Sequence, residues 1–181
     1  EVYATVSTDE KRSFLITEFG LLDAHIFNSR SLEFGAQVRA ATDGNGVDMV
    51  LNSLAGEAML EGMRSLAHFG RFIELGKRDQ YEGNSLPLAP FLDGALYATA
   101  HLDVLMLKSP KAARRIMKDV WAVVSKGLLR PLPSKVFPIT QLHGALKFMS
   151  TGVHIGKVLI DMNVPTVTLR VHRPLPEARR A

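Results

Sequence analysis

The chain has 181 residues, of which 46% are hydrophobic and 22% charged, and a formal net charge of +4 at pH 7. That length accommodates one well-buried domain, or one domain and a piece of another, and the composition is ordinary for a soluble globular protein. It contains no cysteine, which excludes disulfides and thiolate-ligated zinc within these residues.

Short β-branched runs alternate with helical stretches. VYATV (2–6) predicts a strand, and DEKRSFLITEF after it a helix with acids in its first turn. HIF (25–27) is a second short strand, and Ser31 can cap a helix running through Ala41. TDGNG breaks the chain before VDMVLN (47–52), a third strand, which leads into a helix over about 56–67. RFIEL (71–75) is a fourth strand, ended by Gly76. The order βαβαβαβ predicts a parallel, doubly wound sheet with right-handed crossovers. Residues 77–94 form a long irregular connection of the kind that is functional or mobile. ALYATAHL (95–102) returns to strand, Pro110 opens a long helix to Lys126, and Gly127 ends it. LRPLPSKVFP is extended, TQLHGALKFMSTG is a short helix with Thr140 as cap, and KVLIDM is a last strand. The spacing of Trp121 and the methionines suggests core positions.

A nucleotide-binding sheet of this kind opens with a strand and a G-x-G-x-x-G turn that cradles a pyrophosphate. The GNG at 44–46 precedes a strand and lacks that context. Either the fold is not a nucleotide-binding one, or it is an incomplete Rossmann-type α/β sheet without its first βα unit. In the second case that unit would occupy the sheet centre, so 1–6 and 47–52 should flank an unfilled slot or have closed over it.

The charge is concentrated at the end. Arg170, Arg173, Arg179 and Arg180 against Glu177 give the tail +3 of the chain's +4. The body thus shows no clustered cationic face, and nucleic acid is not an expected partner. No apolar run approaches the roughly 20 residues that span a bilayer. The first residues resemble no signal peptide, and a cytoplasmic setting is the expectation. His25, His68, His143 and His172 have no metal-ligand spacing, so no metal site is expected.

The segments TDEKRSFL, IFNSR, GVDMVLNSLAGE, FGRFIELGKRD, PLAPFL, GLLRPL and HIGKVLIDM occur in this order. Over 1–162 the chain resembles the enoyl reductase domain of type I polyketide synthases and animal-type fatty acid synthase, in the zinc-free branch of the medium-chain dehydrogenase/reductase superfamily. The combination of VLNSL, GRFIELGKRD and HIGKV carries the specificity; any one alone would be weak. The resemblance implies three parts: a partial NADP-binding Rossmann domain at 1–127, a return to the GroES-like substrate domain at 128–162, and a basic linker at 163–181. It implies NADPH as cofactor and an enoyl thioester on acyl carrier protein as substrate. Neighbouring synthase domains such as a ketoreductase, and a homodimeric parent, are also implied. The 181 residues alone are expected to be inactive and marginally stable.

Strand ends carry the candidate residues. Where NAD enzymes place an acid, this chain has Val6-Ser7-Thr8 with Lys11 one turn on, and Arg30 at the tip of the next strand. Thr8, Lys11 and Arg30 would hold a 2′-phosphate; the plain alternative is a helix cap and two solvated cations. By the resemblance, Asn52, Ser53 and Leu54 line the adenosine ribose, Leu75 and Gly76 approach the nicotinamide, and Lys157 reaches the phosphates. Each is also explained by an ordinary turn. Lys77 resembles the family's proposed proton donor and Asp103 its acidic partner, although some relatives place the acid where this chain has His101. The alternatives there are a surface lysine and a helix-capping aspartate. Two other functions stay open: a free-standing quinone oxidoreductase of the same superfamily, and a non-catalytic remnant within a synthase.

Overall fold

The structure, a computed structural model, describes residues 1–163. The basic tail, apart from Asn163, lies outside the described residues. The chain divides into two compact units, Glu1–Leu129 and Arg130–Ala181.

In the first unit every strand pairing is parallel. β1 (Ala4–Val6) pairs with β2 (Ile26–Asn28), setting Val6 level with Asn28. β3 (Val47–Asn52) pairs with β4 (Leu66–Glu74), and β4 with β5 (Leu96–Thr99). The helices between them are α1 (Asp9–Phe19), α2 (Phe34–Ala41), α3 (Glu57–Arg64), α4 (Arg78–Glu82), α5 (Leu102–Lys108) and α6 (Pro110–Ser125). This is the expected alternating α/β architecture. β1 and β3 do not pair. Between them lies a cavity of about 860 Å³ lined by every residue of both strands, the unfilled slot foreseen from the sequence.

The core sits where α3 covers β4. Met59, Met63, Leu66, Phe72 and Ala95 are buried together, with Val50, Phe91 and Tyr97 packed around them. Phe72 is fully buried and stacks on Tyr97 at 5.7 Å between ring centres. Strand alternation puts Gly70, Phe72 and Glu74 on this inward face.

Some elements depart from expectation for identifiable reasons. The β3–β4 register shifts between Val47 and Met49, so 67–70 form a bulge, with Phe69 at φ +58. β4 consequently starts at Leu66 and α3 ends early, at Arg64. Ser31 does not cap α2; its hydroxyl accepts from Glu33 N at 3.2 Å, and the helix begins at Phe34. Thr140 lies inside a 3-10 turn (Ile139–Gln141) instead of capping the next helix. The irregular stretch contains α4 and a 3-10 turn at Ala89–Asp93, and α5 replaces the end of the predicted fifth strand. Met59 and Met63 are core, but Trp121 is 69% exposed because α6 buries none of its residues. Met49, Met106, Met117, Met149 and Met162 are exposed as well.

In the second unit β6 (Ser134–Pro138) pairs in parallel with β7 (Lys157–Asp161), and α7 (Leu142–Ser150) packs on both through buried Ala145. Phe148 of α7 meets Phe137 at 5.7 Å and accepts Lys135 Nζ over its ring at 4.3 Å. Gly156 adopts φ +77 just before β7, and a Cβ there would lie 1.9 Å from Pro133 O. Gly144, inside α7, has nothing within 4 Å of where a Cβ would stand. Gly156→Ala should therefore destabilise by on the order of 1–3 kcal/mol from backbone strain alone. Gly144→Ala should be neutral or stabilising by up to about 1 kcal/mol. Urea unfolding midpoints check this packing: that of Gly156→Ala should fall and that of Gly144→Ala should not.

Candidate functional site

The parallel register brings Asn52, Glu74 and Thr99 abreast at the carboxyl ends of β3, β4 and β5. Open α/β sheets bind ligands at this edge. The backbone there is closely tied: Leu75 N donates to Asn52 O at 2.8 Å and Ala100 N to Glu74 O at 2.9 Å.

The cavity between β1 and β3 gathers two sets of candidates. Ser7 and Lys11 line it from the first strand's tip, with Lys11 Nζ 3.4 Å from Ser7 Oγ. Asn52, Ser53 and Leu54 line it from the third. Thr8 is the N-cap of α1, its hydroxyl accepting from Lys11 N at 3.3 Å, and Ser7 is the hydroxyl that faces the cavity. Arg30 is exposed, its backbone N bonded to Asn28 Oδ1 at 2.9 Å, and does not line the cavity. An ammonium and a hydroxyl on one wall and a polar turn on the other fit the phosphate-bearing adenosine end of a dinucleotide.

A second cavity, of about 680 Å³, opens beyond β5 and is lined by Lys77, Tyr81, Thr99, His101, Leu105 and others. Lys77, the N-cap residue of α4, reaches across to Asp103 in the first turn of α5, and its Nζ donates to the Asp103 carboxylate. Asp103, not His101, is thus the lysine's acidic partner; His101 Nε2 is buried without a hydrogen-bond partner among the described residues. The hydrogen bond that Lys77 donates to Asp103 raises the Lys77 pKa, with Tyr81 adding to the effect. The same bond lowers that of Asp103. Lys157 is exposed at the start of β7, in the second unit.

Three residues at this edge carry structure that the sequence pattern alone did not single out. Glu74 is 3% exposed and accepts from Asn52 Nδ2 and Gly76 N. Asp79 accepts from Gly56 N at 3.0 Å and from Asn84 Nδ2 at 2.9 Å, joining the turn after β3 to the loop after β4. Tyr81 stands beside Lys77. The period-two alternation of RFIEL was a usable signal for Glu74, since it places the acid on the face of Phe72.

Residues 22–160 match the family model described as zinc-binding dehydrogenase. The nucleotide-binding subdomain of the enoylreductase domain of PpsC from Mycobacterium tuberculosis is 40% identical, with a TM-score of 0.63, over 71% of this chain and 70% of that one. The chain belongs to the enoyl reductases of polyketide synthases, within the zinc-binding dehydrogenase family. The CurF ER cyclopropanase from the curacin A biosynthetic pathway is 32% identical, with a TM-score of 0.76, over 89% of this chain and 47% of that structure. The highly reducing polyketide synthase dmxL2 of Cryptosporiopsis sp. (strain 8999) is 39% identical over 162 residues. That match covers 89% of this chain and 7% of the synthase. Among the described residues no helix is long and apolar enough to cross a membrane, and no three of His, Cys, Asp and Glu converge on a metal-sized site.

The Lys77–Asp103 pair has a definite pH signature. The depressed Asp103 stabilises the fold above the ordinary carboxylate pKa and loses that contribution as pH falls through its lower folded value, below about 4. The raised Lys77 contributes below the ordinary lysine pKa and loses it as pH rises through its higher folded value, above about 10. The stability difference between wild type and Asp103→Asn should therefore be flat across the neutral range and shrink only at the two extremes. Denaturant midpoints taken as a function of pH test this; a step near neutrality would contradict the pairing.

Proposed function

We propose that this chain is the cofactor-binding part of an enoyl reductase within a polyketide synthase. It uses NADPH to reduce the α,β-double bond of an enoyl thioester carried by acyl carrier protein. The observation that carries the reading is Lys77, which lines a mostly apolar cavity at the carboxyl edge of the sheet and is paired with Asp103. In this reading 1–127 holds the cofactor, 128–162 belongs to the substrate domain, and the parent is a cytoplasmic homodimer with a neighbouring ketoreductase.

Ser7, Lys11, Asn52, Ser53 and Leu54 would hold the adenosine phosphate end, with Thr8 fixing the helix start and Arg30 two residues past the tip of β2. Leu75 and Gly76 would bound the nicotinamide. When bound, the reduced nicotinamide supplies a hydride to the substrate's β-carbon. The electron pair of the double bond then moves toward the thioester oxygen, and a proton must reach the α-carbon.

Lys77 acts on that second half. Its ammonium is held charged by Asp103, so it offers a positive charge where the enolate forms. An ammonium with a raised pKa is a weaker acid, which favours charge stabilisation as its first contribution. Delivery of the α-proton, the role the family resemblance implies, uses the same Nζ. Asp103 orients the ammonium and keeps it protonated.

Two variants of the synthase separate these roles. Lys11→Ala should cost NADPH binding about 1.5–3 kcal/mol, roughly tenfold to a hundredfold in KM, and leave NADH nearly untouched. Equal weakening of both cofactors would remove Lys11 from phosphate recognition. Lys77→Ala should lower kcat with a crotonyl-type thioester by about a hundredfold or more while KM for NADPH stays near wild type. Full turnover by that variant would exclude Lys77 from the chemistry.

A further inference from the structure

One buried acid at this edge has no part in the scheme above. Glu74 ends β4 with its side chain 3% exposed. One carboxylate oxygen accepts from Gly76 N at 2.5 Å and the other from Asn52 Nδ2 at 2.5 Å. Asn52, itself 4% exposed, also donates to Leu54 O at 2.7 Å and accepts from Leu54 N at 3.2 Å. A single buried carboxylate thus joins the turn after β3 to the turn after β4. Both oxygens are needed, because two N–H donors converge on them; a neutral amide has one acceptor to offer. Gly76 is shaped by the same contact, since a Cβ there would meet Glu74 Oε1 at 2.7 Å. The amides of Leu75 and Gly76 are consecutive anchors, to Asn52 O and Glu74 Oε1. The next residue is Lys77, whose carbonyl accepts from Tyr81 N at 2.9 Å as α4 begins.

We propose that Glu74 is a positioning residue for the reductase reaction. Its buried carboxylate locks the course of 75–76 against the Asn52 turn, and so sets where Lys77 Nζ stands relative to substrate and cofactor. The proposal rests on the reductase reading above. A charged group displaced by a fraction of an ångström loses much of its effect on the barrier without losing the fold.

The test uses the full-length synthase with NADPH and a crotonyl thioester, reading kcat, both KM values and the melting temperature. In Glu74→Gln the new NH₂ must face either Asn52 Nδ2 or Gly76 N, donor against donor. Glu74→Asp keeps both acceptor oxygens on a shorter arm. Glu74→Gln should lose on the order of tenfold to a hundredfold in kcat, with KM for NADPH changed less than kcat, and Glu74→Asp should lose less than Glu74→Gln. If Glu74 only held the strands together, melting temperature would fall while kcat per folded molecule stayed at the wild-type value, which overturns the proposal. A Glu74→Asp variant as slow as Glu74→Gln, or a Glu74→Gln variant that does not fold, overturns it too. A wild-type synthase with no NADPH-dependent reduction refutes the reductase reading itself, and the positioning role falls with it.

Discussion

Parallel strand pairing is the constraint from which the site follows. Because all strands of the first unit run the same way in their pairs, their carboxyl ends collect at one edge, and the turns that leave them are neighbours in space. The register then fixes which side chains meet. Asn52 stands beside Glu74 and Glu74 beside Thr99, and from those ends the chain departs into the turns carrying Ser53, Gly76 and His101. Residues separated by more than 20 positions are thereby brought within a hydrogen bond, as Lys77 and Asp103 show.

Two acids at that edge behave oppositely, and burial explains it. Asp103 is 68% exposed and pairs with a cation, so water shares the cost of its charge. Glu74 is sealed from solvent and satisfied by neutral donors of the backbone and an amide. The first faces water beside its lysine. The second is fixed on both oxygens, as befits a group that holds geometry for others. Asp79 is intermediate in kind, tying Gly56 and Asn84 across two loops.

Much of this was legible in the sequence. The alternation of β-branched runs and helical stretches placed VDMVLN on β3 residue for residue, and the absence of a glycine-rich turn foretold the gap between β1 and β3. Lys77 and Asp103 were singled out through resemblance, because a lysine after a strand and a helix-start aspartate look unremarkable in one dimension. What could not be read was pairing: nothing local to Glu74 says that Asn52, 22 positions earlier, converges on it. The bulge at 67–70 was hidden for the same reason, since a register shift belongs to two strands at once. Trp121 was misplaced because apolar periodicity marks a face that wants covering, without saying whether the covering lies within the chain.

That tryptophan has a practical consequence. It is the chain's sole indole, and it sits well exposed on a helix that buries none of its own residues. Its emission in the isolated chain already reports a water-facing ring, so loss of the Phe72 core would change its colour little. A blue shift would instead mark something apolar arriving on α6. Intrinsic fluorescence at 121 is therefore a natural probe of association along that helix, and a poor thermometer for the sheet.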